Sequence, residues 1–294
     1  MSSLFPLLRL PRLVLFEIFK SLNIEEKFKL YICSRKISTH IYNARLYSQK
    51  VIVDLDMLYQ VIRVCSENYR DSFEIPIYPN FWKRHNSNTQ QFSIECRGFL
   101  STIEHLLKIF RCKFSTTIGH YNSDSYQPTI SELFNLQVEF KKLAIELNGS
   151  EDRILLWKQI SKKLELVKDL VIFSGMNQLT PVFTSWPQNI DITNSGWFTL
   201  EYVLACTCTR ITLDWSHLEN KDLEVILKNW KSGGFSNLEN LYIGSQNITN
   251  NGELIMGINW RELDGMVFQT DDGSKKATFR IRNQWFDMSV NRFE

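Results

Sequence analysis

Apolar side chains recur along this chain with three rhythms. The first is helical. Val14, Leu15, Ile18, Phe19 and Leu22 fall on one stripe. Pro11 stands at the first helical position, where its missing N–H costs nothing. Asn23 is the expected N-cap of a second helix carrying Phe28, Leu30, Tyr31 and Ile32. Glu25 and Glu26 fall in its first turn, where the helix dipole favours negative charge. Ser34 opens a third helix with Ile37 and Ile41. Three helices this short cannot bury all these groups among themselves. The surplus apolar face either meets a partner or packs on the rest of the chain, and periodicity leaves both open.

The second rhythm is an apolar residue, a gap of two, an apolar residue, a gap of one, and a third. It occurs five times: Phe140-Leu143-Ile145, Val167-Leu170-Ile172, Pro187-Ile190-Ile192, Cys208-Ile211-Leu213 and Leu238-Leu241-Ile243. The starts are 27, 20, 21 and 30 residues apart. Leucine-rich repeats carry this strand pattern at a period of roughly 20–29 residues. Between the strands, Ile154, Leu155, Trp157, Ile160 and Leu164 have helical spacing. So do Leu223, Ile226, Leu227 and Trp230, preceded by Asp222 in the first turn and closed by Gly233-Gly234 at the C-cap. One strand and one helix per unit, stacked, give a parallel sheet lined by helices. The repeats are irregular, and the asparagine of the strand turn is mostly missing. The expected fold is α/β, an irregular leucine-rich-repeat-like solenoid behind a small three-helix segment.

The third rhythm is strict alternation. Val51, Val53 and Leu55 predict a strand, as do Phe92, Ile94 and Cys96. Leu58 to Val64 has helical spacing, as does Ser101 to Arg111. Residues 76–90 and 115–130 are rich in Asn, Ser, Thr and Pro, and are expected to be loops. Met266–Gln269 and Ala277–Ile281 predict strands around the turn Asp271-Asp272-Gly273-Ser274.

Charge and composition narrow the function. The chain has 34 Lys and Arg against 32 Asp and Glu, so its net charge of +2 supplies no drive toward nucleic acid or an acidic membrane. No stretch reaches the roughly 20 apolar residues of a membrane helix. The apolar run from Leu13 to Phe19 is broken by Glu17 and lacks a cleavage site, so it is no signal peptide. A cytoplasmic, and also nuclear, location follows as an expectation, with the six cysteines as free, mostly buried thiols.

Catalytic patterns are missing. There is no nucleophile elbow, P-loop or dinucleotide glycine pattern. The five histidines lie in unrelated contexts. Cys206, Cys208 and His217 form the one cluster with ligand chemistry, but structural zinc wants four ligands, and buried packing is the stronger reading. No metal, cofactor or catalytic residue is assigned. Lys158, Lys162, Lys163 and Lys168 form a basic face beside Trp157, but Glu151, Asp152, Glu165 and Asp169 offset it, so it reads as a solvated helix face. Trp and Tyr are enriched as interface anchors. Trp186, Trp215 and Tyr242 are therefore the candidate partner-binding residues, with core filling as the competing role.

The run Leu10-Pro11-Arg12-Leu13-Val14-Leu15-Phe16-Glu17-Ile18-Phe19-Lys20-Ser21-Leu22 resembles the opening of an F-box. The segment Glu25 to Lys36 resembles its continuation, with an acidic start, an apolar helix and a basic end. Phe5-Pro6-Leu7-Leu8 and Cys33-Ser34-Arg35-Lys36 are similar to the large nematode-type F-box family with an F-box-associated domain of type 2. Two positions depart from it: Leu13 replaces an acidic residue, and the third-helix Trp is absent near Ile37.

The resemblance implies two domains: residues 1–45 as an F-box docking a Skp-type adaptor, and residues 46–294 as the F-box-associated domain. By motif position, Leu10, Pro11, Val14, Leu15, Ile18, Leu22 and Phe28 are the implied adaptor contacts. It implies a non-catalytic substrate receptor of a cullin–RING ubiquitin ligase, holding a protein target on the solenoid. Family analogy makes foreign or fast-changing proteins the class of target. The alternative is a binding module that sequesters its partner without degradation.

Overall fold

The structure is a computed structural model of the 294-residue chain. It describes residues 9–43, 50–56, 61–76, 99–118, 123–147, 151–174, 181–282 and 284–292. The chain divides into two compact units, Met1–Thr117 and Ile118–Glu294.

The first unit holds α1 (Arg12–Ser21), α2 (Ile24–Cys33), α3 (Arg35–Asn43), β1 (Lys50–Asp56), β2 (Val61–Ser66), β3 (Ser72–Pro76), α4 (Phe99–Ile109) and β4 (Arg111–Ile118). Helix α1 starts one residue later than expected. Pro11 is its N-cap, and the Pro11 carbonyl accepts from the Leu15 N–H at 3.1 Å. The α2 start is a full capping box. Asn23 Oδ1 accepts from the Glu26 N–H at 2.8 Å, and the Glu26 carboxylate accepts from the Asn23 N–H at 2.9 Å.

The helices do not bury their apolar groups alone. Leu15, Phe19, Ile24 and Phe28 are buried. The Phe28 ring lies 5.5 Å from Phe73 of β3, and Tyr31 meets His105 of α4 edge-on at 5.7 Å. The strands run in the order β4-β1-β2-β3, with β1 parallel to β4 and the other neighbours antiparallel.

Two expectations fail here. The helix over Leu58–Val64 is replaced, in its described part, by β2, which pairs with β1 in the register Val53↔Val64. Val61, Ile62 and Val64 are β-branched and lose side-chain freedom in a helix, while β1 offers a ladder. The loop expected over 115–130 is likewise regular in its described part. Residues up to Ile118 extend β4, which buries Phe114 and Thr116, and a helix begins at Ser123. Polar composition hid an alternating strand there. The strand expected at Phe92–Cys96 lies outside the described residues.

The second unit holds α5 (Ser123–Asn135), β5 (Glu139–Leu147), α6 (Glu151–Ile160), β6 (Val167–Ser174), β7 (Asn189–Thr193), α7 (Leu200–Ala205), β8 (Arg210–Ser216), α8 (Asn220–Lys231), β9 (Asn240–Ser245), α9 (Trp260–Leu263), β10 (Val267–Gln269), β11 (Lys275–Arg282) and β12 (Trp285–Arg292). The strand order is β5-β6-β7-β8-β9-β12-β11-β10. Strands β5 to β9 are parallel, and the last three are antiparallel. The expected α/β class holds.

The five apolar triplets lie in register across the parallel strands. Leu143 faces Leu170, Ile190, Ile211 and Leu241 in turn, and Ile145 faces Ile172, Ile192, Leu213 and Ile243. All of these side chains are buried. Each full burial of an aliphatic side chain contributes about 1.5–3 kcal/mol. Helix α8 covers this face with Leu223, Ile226, Leu227 and Trp230, and Gly233 follows its end at φ +93.

A second column runs beside the apolar one. Ser174, Ser195, Ser216 and Ser245 are all buried at the strand ends. Ser195 Oγ donates to the Asp214 carbonyl at 2.9 Å, and Ser245 Oγ donates to the Leu218 carbonyl at 2.8 Å. The serines satisfy turn backbone where an asparagine is usual. Asparagine also serves: Asn194 Nδ2 donates to the Ser174 carbonyl at 2.9 Å and Asn247 Nδ2 to the His217 carbonyl at 3.0 Å.

Candidate interaction surfaces

Two surfaces retain side chains that burial would otherwise claim. In the first unit, Leu10, Val14, Ile18 and Leu22 recur at every fourth residue, and all keep solvent exposure. Val14 is 44% exposed and its neighbour Leu13 78%, with Pro11 exposed beside them. Leu15 and Phe28 sit in the interior of the same unit. The candidate docking residues therefore split into an outward strip and two interior supports.

The second surface is the sheet face that the triplets leave behind. Alternation along each strand sends every second residue to it. One row runs through Ala144, Val171, Asp191, Thr212, Tyr242, Asp287 and Arg280, each paired with the next. One pleat further on, Phe173 is 45% exposed on β6, and Gly244 pairs with Trp285, which pairs with Arg282. Asp214 sits against Gly244: a Cβ there would lie 3.2 Å from Asp214 Oδ1 and 3.5 Å from the Tyr242 hydroxyl. The missing side chain thus lets the Asp214 carboxylate and the Tyr242 ring close in over the strand. Tyr242 and Trp285 stack at 6.3 Å, and the Arg282 guanidinium lies 5.5 Å from the Trp285 ring centre.

The electrostatics of this face are strained by like charge. Burial, then the nearby Asp214 carboxylate, pushes Asp191 above the usual carboxylate range, with Lys142 opposing. Burial, then Asp214 and Asp287, likewise raises the Tyr242 phenol. Asp287 accepts from Asn240 Nδ2 at 3.2 Å.

Trp215 stands at the end of β8, where the pairing with β9 shifts register. It is 63% exposed and has φ +54. A left-handed conformation at a bulky residue costs on the order of 1–3 kcal/mol. Burial of the indole does not offset that cost. At the matching place after β7, φ +57 falls on Asn194, a residue that tolerates it.

Trp186 is not brought together with Tyr242. It belongs to an aromatic cluster, stacked on Phe183 at 4.5 Å and edge-on to Phe198 at 6.2 Å. Trp157 joins the cluster through Phe183 and donates from Nε1 to the Val182 carbonyl at 3.0 Å.

The sequence reading missed Asp191, Asp214, Asp287, Phe173 and Trp285. Their signal is the polar half of the alternation: once the triplets fix the buried face, the residues between them define the other.

Among the described residues no group of three or more His, Cys, Asp and Glu side chains could hold a metal ion. Cys206 and Cys208 are both buried, and Cys208 donates to the Pro187 carbonyl at 3.1 Å. Its hydrogen bond with Cys206, then burial, pushes the Cys208 thiol far up. His217 is exposed, its ring atoms near the space a Gly196 Cβ would need. Among the described residues, no helix is long and apolar enough to cross a membrane.

Residues 183–243 match a family model described as F-box associated. The matched span takes in β7, α7, β8 and α8 and runs into β9, with Asp191, Asp214, Trp215 and Tyr242 inside it. No curated protein and no solved structure matches the chain.

Proposed function

We propose that the chain is the substrate-recognition subunit of an SCF-type E3 ubiquitin ligase, of the nematode-type F-box kind. The F-box associated match at residues 183–243 carries this reading. The N-terminal sequence resemblance and the incompletely buried strip Leu10, Val14, Ile18 and Leu22 support it.

In this reading residues 1–45 act as the F-box. The outward strip and Pro11 meet a Skp-type adaptor, while Leu15 and Phe28 hold the helices in shape. Residues 46–294 act as the target-binding domain, with β5 to β9 as a leucine-rich-repeat-like solenoid. The chain carries out no chemistry. It raises the effective concentration of a target's lysines at the ubiquitin-charged enzyme of the assembled ligase. Such a protein works in the cytoplasm or nucleus.

The test is co-purification from cells of the parent and a Val14→Asp/Ile18→Asp variant. Val14 is exposed and Ile18 half-buried, and circular dichroism checks that the variant retains its fold. The parent is expected to bring down the Skp adaptor and a cullin, and the variant to lose both at least tenfold. Equal recovery of adaptor by both, or by neither, overturns the proposal.

A further inference from the structure

We propose that the exposed face of β6 to β12 in the second unit is a docking surface for a protein segment presenting lysine or arginine beside an apolar side chain. The inference rests on the substrate-receptor reading and names the chemistry of its partner.

The charge layout selects the occupant. Asp191 on β7, Asp214 on β8 and Asp287 on β12 point to one face, with no basic residue between them in their rows. Arg280 on β11 stands directly opposite Asp287, while Lys142 on β5, Arg210 at the start of β8 and Arg282 on β11 flank the Asp191 and Asp214 carboxylates, which carry the like-charge conflict. At about 4.8 Å per strand, Asp191 and Asp287 are about 14 Å apart across three steps, which a short extended segment spans. The like charges are mutually unfavourable, and a cation relieves them. An anion placed at the Asp191 and Asp214 carboxylates would add to their repulsion.

The rings select the rest. Phe173, Tyr242 and Trp285 lie on the same face, and Trp215 is held at its edge in a conformation that burial does not explain. Aromatic side chains with a polar tip are the commonest interface anchors. The Asp214 carboxylate lies beside the Tyr242 ring, which stacks with Trp285, and a carboxylate next to ring faces suits an aliphatic stem ending in a cation laid over them. Arg282, already lying against Trp285, shows that this ring accepts a guanidinium.

The probe is a library of random dodecapeptides selected on the immobilised full chain, without adaptor. Peptides recovered on the parent are expected to be enriched in Lys and Arg at least threefold, next to aliphatic or aromatic residues. The Asp191→Asn/Asp214→Asn variant is expected to lose that enrichment. The Asp191→Lys/Asp214→Lys variant is expected to recover peptides enriched in Asp and Glu. Retained melting temperature shows that either variant is folded. No enrichment on the parent, or the same enrichment on all three proteins, overturns the inference. Adaptor binding plays no part in the selection. A chain that fails to bind adaptor but selects basic peptides would sink the ligase reading alone; the reverse would sink only this one.

Discussion

Trp215 holds an unfavourable backbone conformation without burying its ring. A residue placed there for stability would be Gly or Asn, as Asn194 is one strand earlier. Trp215→Gly is therefore expected to melt at or above the parent temperature while weakening peptide capture. A lower melting temperature would mean that the indole supports the fold. Asp191 offers a pH test. Its folded-state value is raised, so the ionised form is disfavoured in the fold. That cost is present above the raised value and fades as pH falls through it. Asp191→Asn is thus expected to be at least as stable as the parent at pH 7, with its advantage shrinking toward about pH 4. Thermal melts across that range check it, and a constant deficit at every pH would contradict it. Tyr242 and Trp215 stood out in the sequence as aromatics near the strand pattern. The aspartates did not, because a lone Asp in a strand has no signature until its neighbours are in register.

At the scale of the element, the apolar triplets were fully legible, since each repeats one geometry and each is buried. The serine column was not, because Ser is common and its role depends on carbonyls from the next repeat. The two best-defined serines should differ in weight. Ser195→Ala removes one bond to the Asp214 carbonyl, which keeps the Ser195 N–H at 2.8 Å. Ser245→Ala removes the bond to Leu218 and also the acceptor of the Asn247 N–H at 3.2 Å. Urea unfolding is expected to show a loss of about 0.5–1.5 kcal/mol for the first and about 1–3 kcal/mol for the second. The reverse order would contradict the assigned roles. The misread segments failed for one physical reason. Val61–Val64 have helical spacing and 115–118 loop-like composition, and only a neighbouring strand makes them sheet; the helix from Ser123 was hidden by the same polar composition.

For the whole molecule, the open question was where the surplus apolar surface of the N-terminal helices goes. Part of it packs inward: Leu15, Phe19 and Phe28 are buried in a unit that also holds β1 to β4. Part does not: Val14 is exposed, and Leu10, Ile18 and Leu22 are half-buried. Periodicity could not divide the two, because burial on one side depends on residues far along the chain, such as Phe73. The same division separates the two proposed activities: one surface on the N-terminal helices, the other on the second unit's sheet. The most direct measurement is a calorimetric titration of purified Skp-type adaptor into three proteins: the parent, Val14→Asp/Ile18→Asp, and Asp191→Lys/Asp214→Lys. One-to-one binding to the parent and the sheet-face variant, with loss of binding to the helix variant, is the expected result. Absence of binding to the parent, or equal binding to all three, would contradict the account.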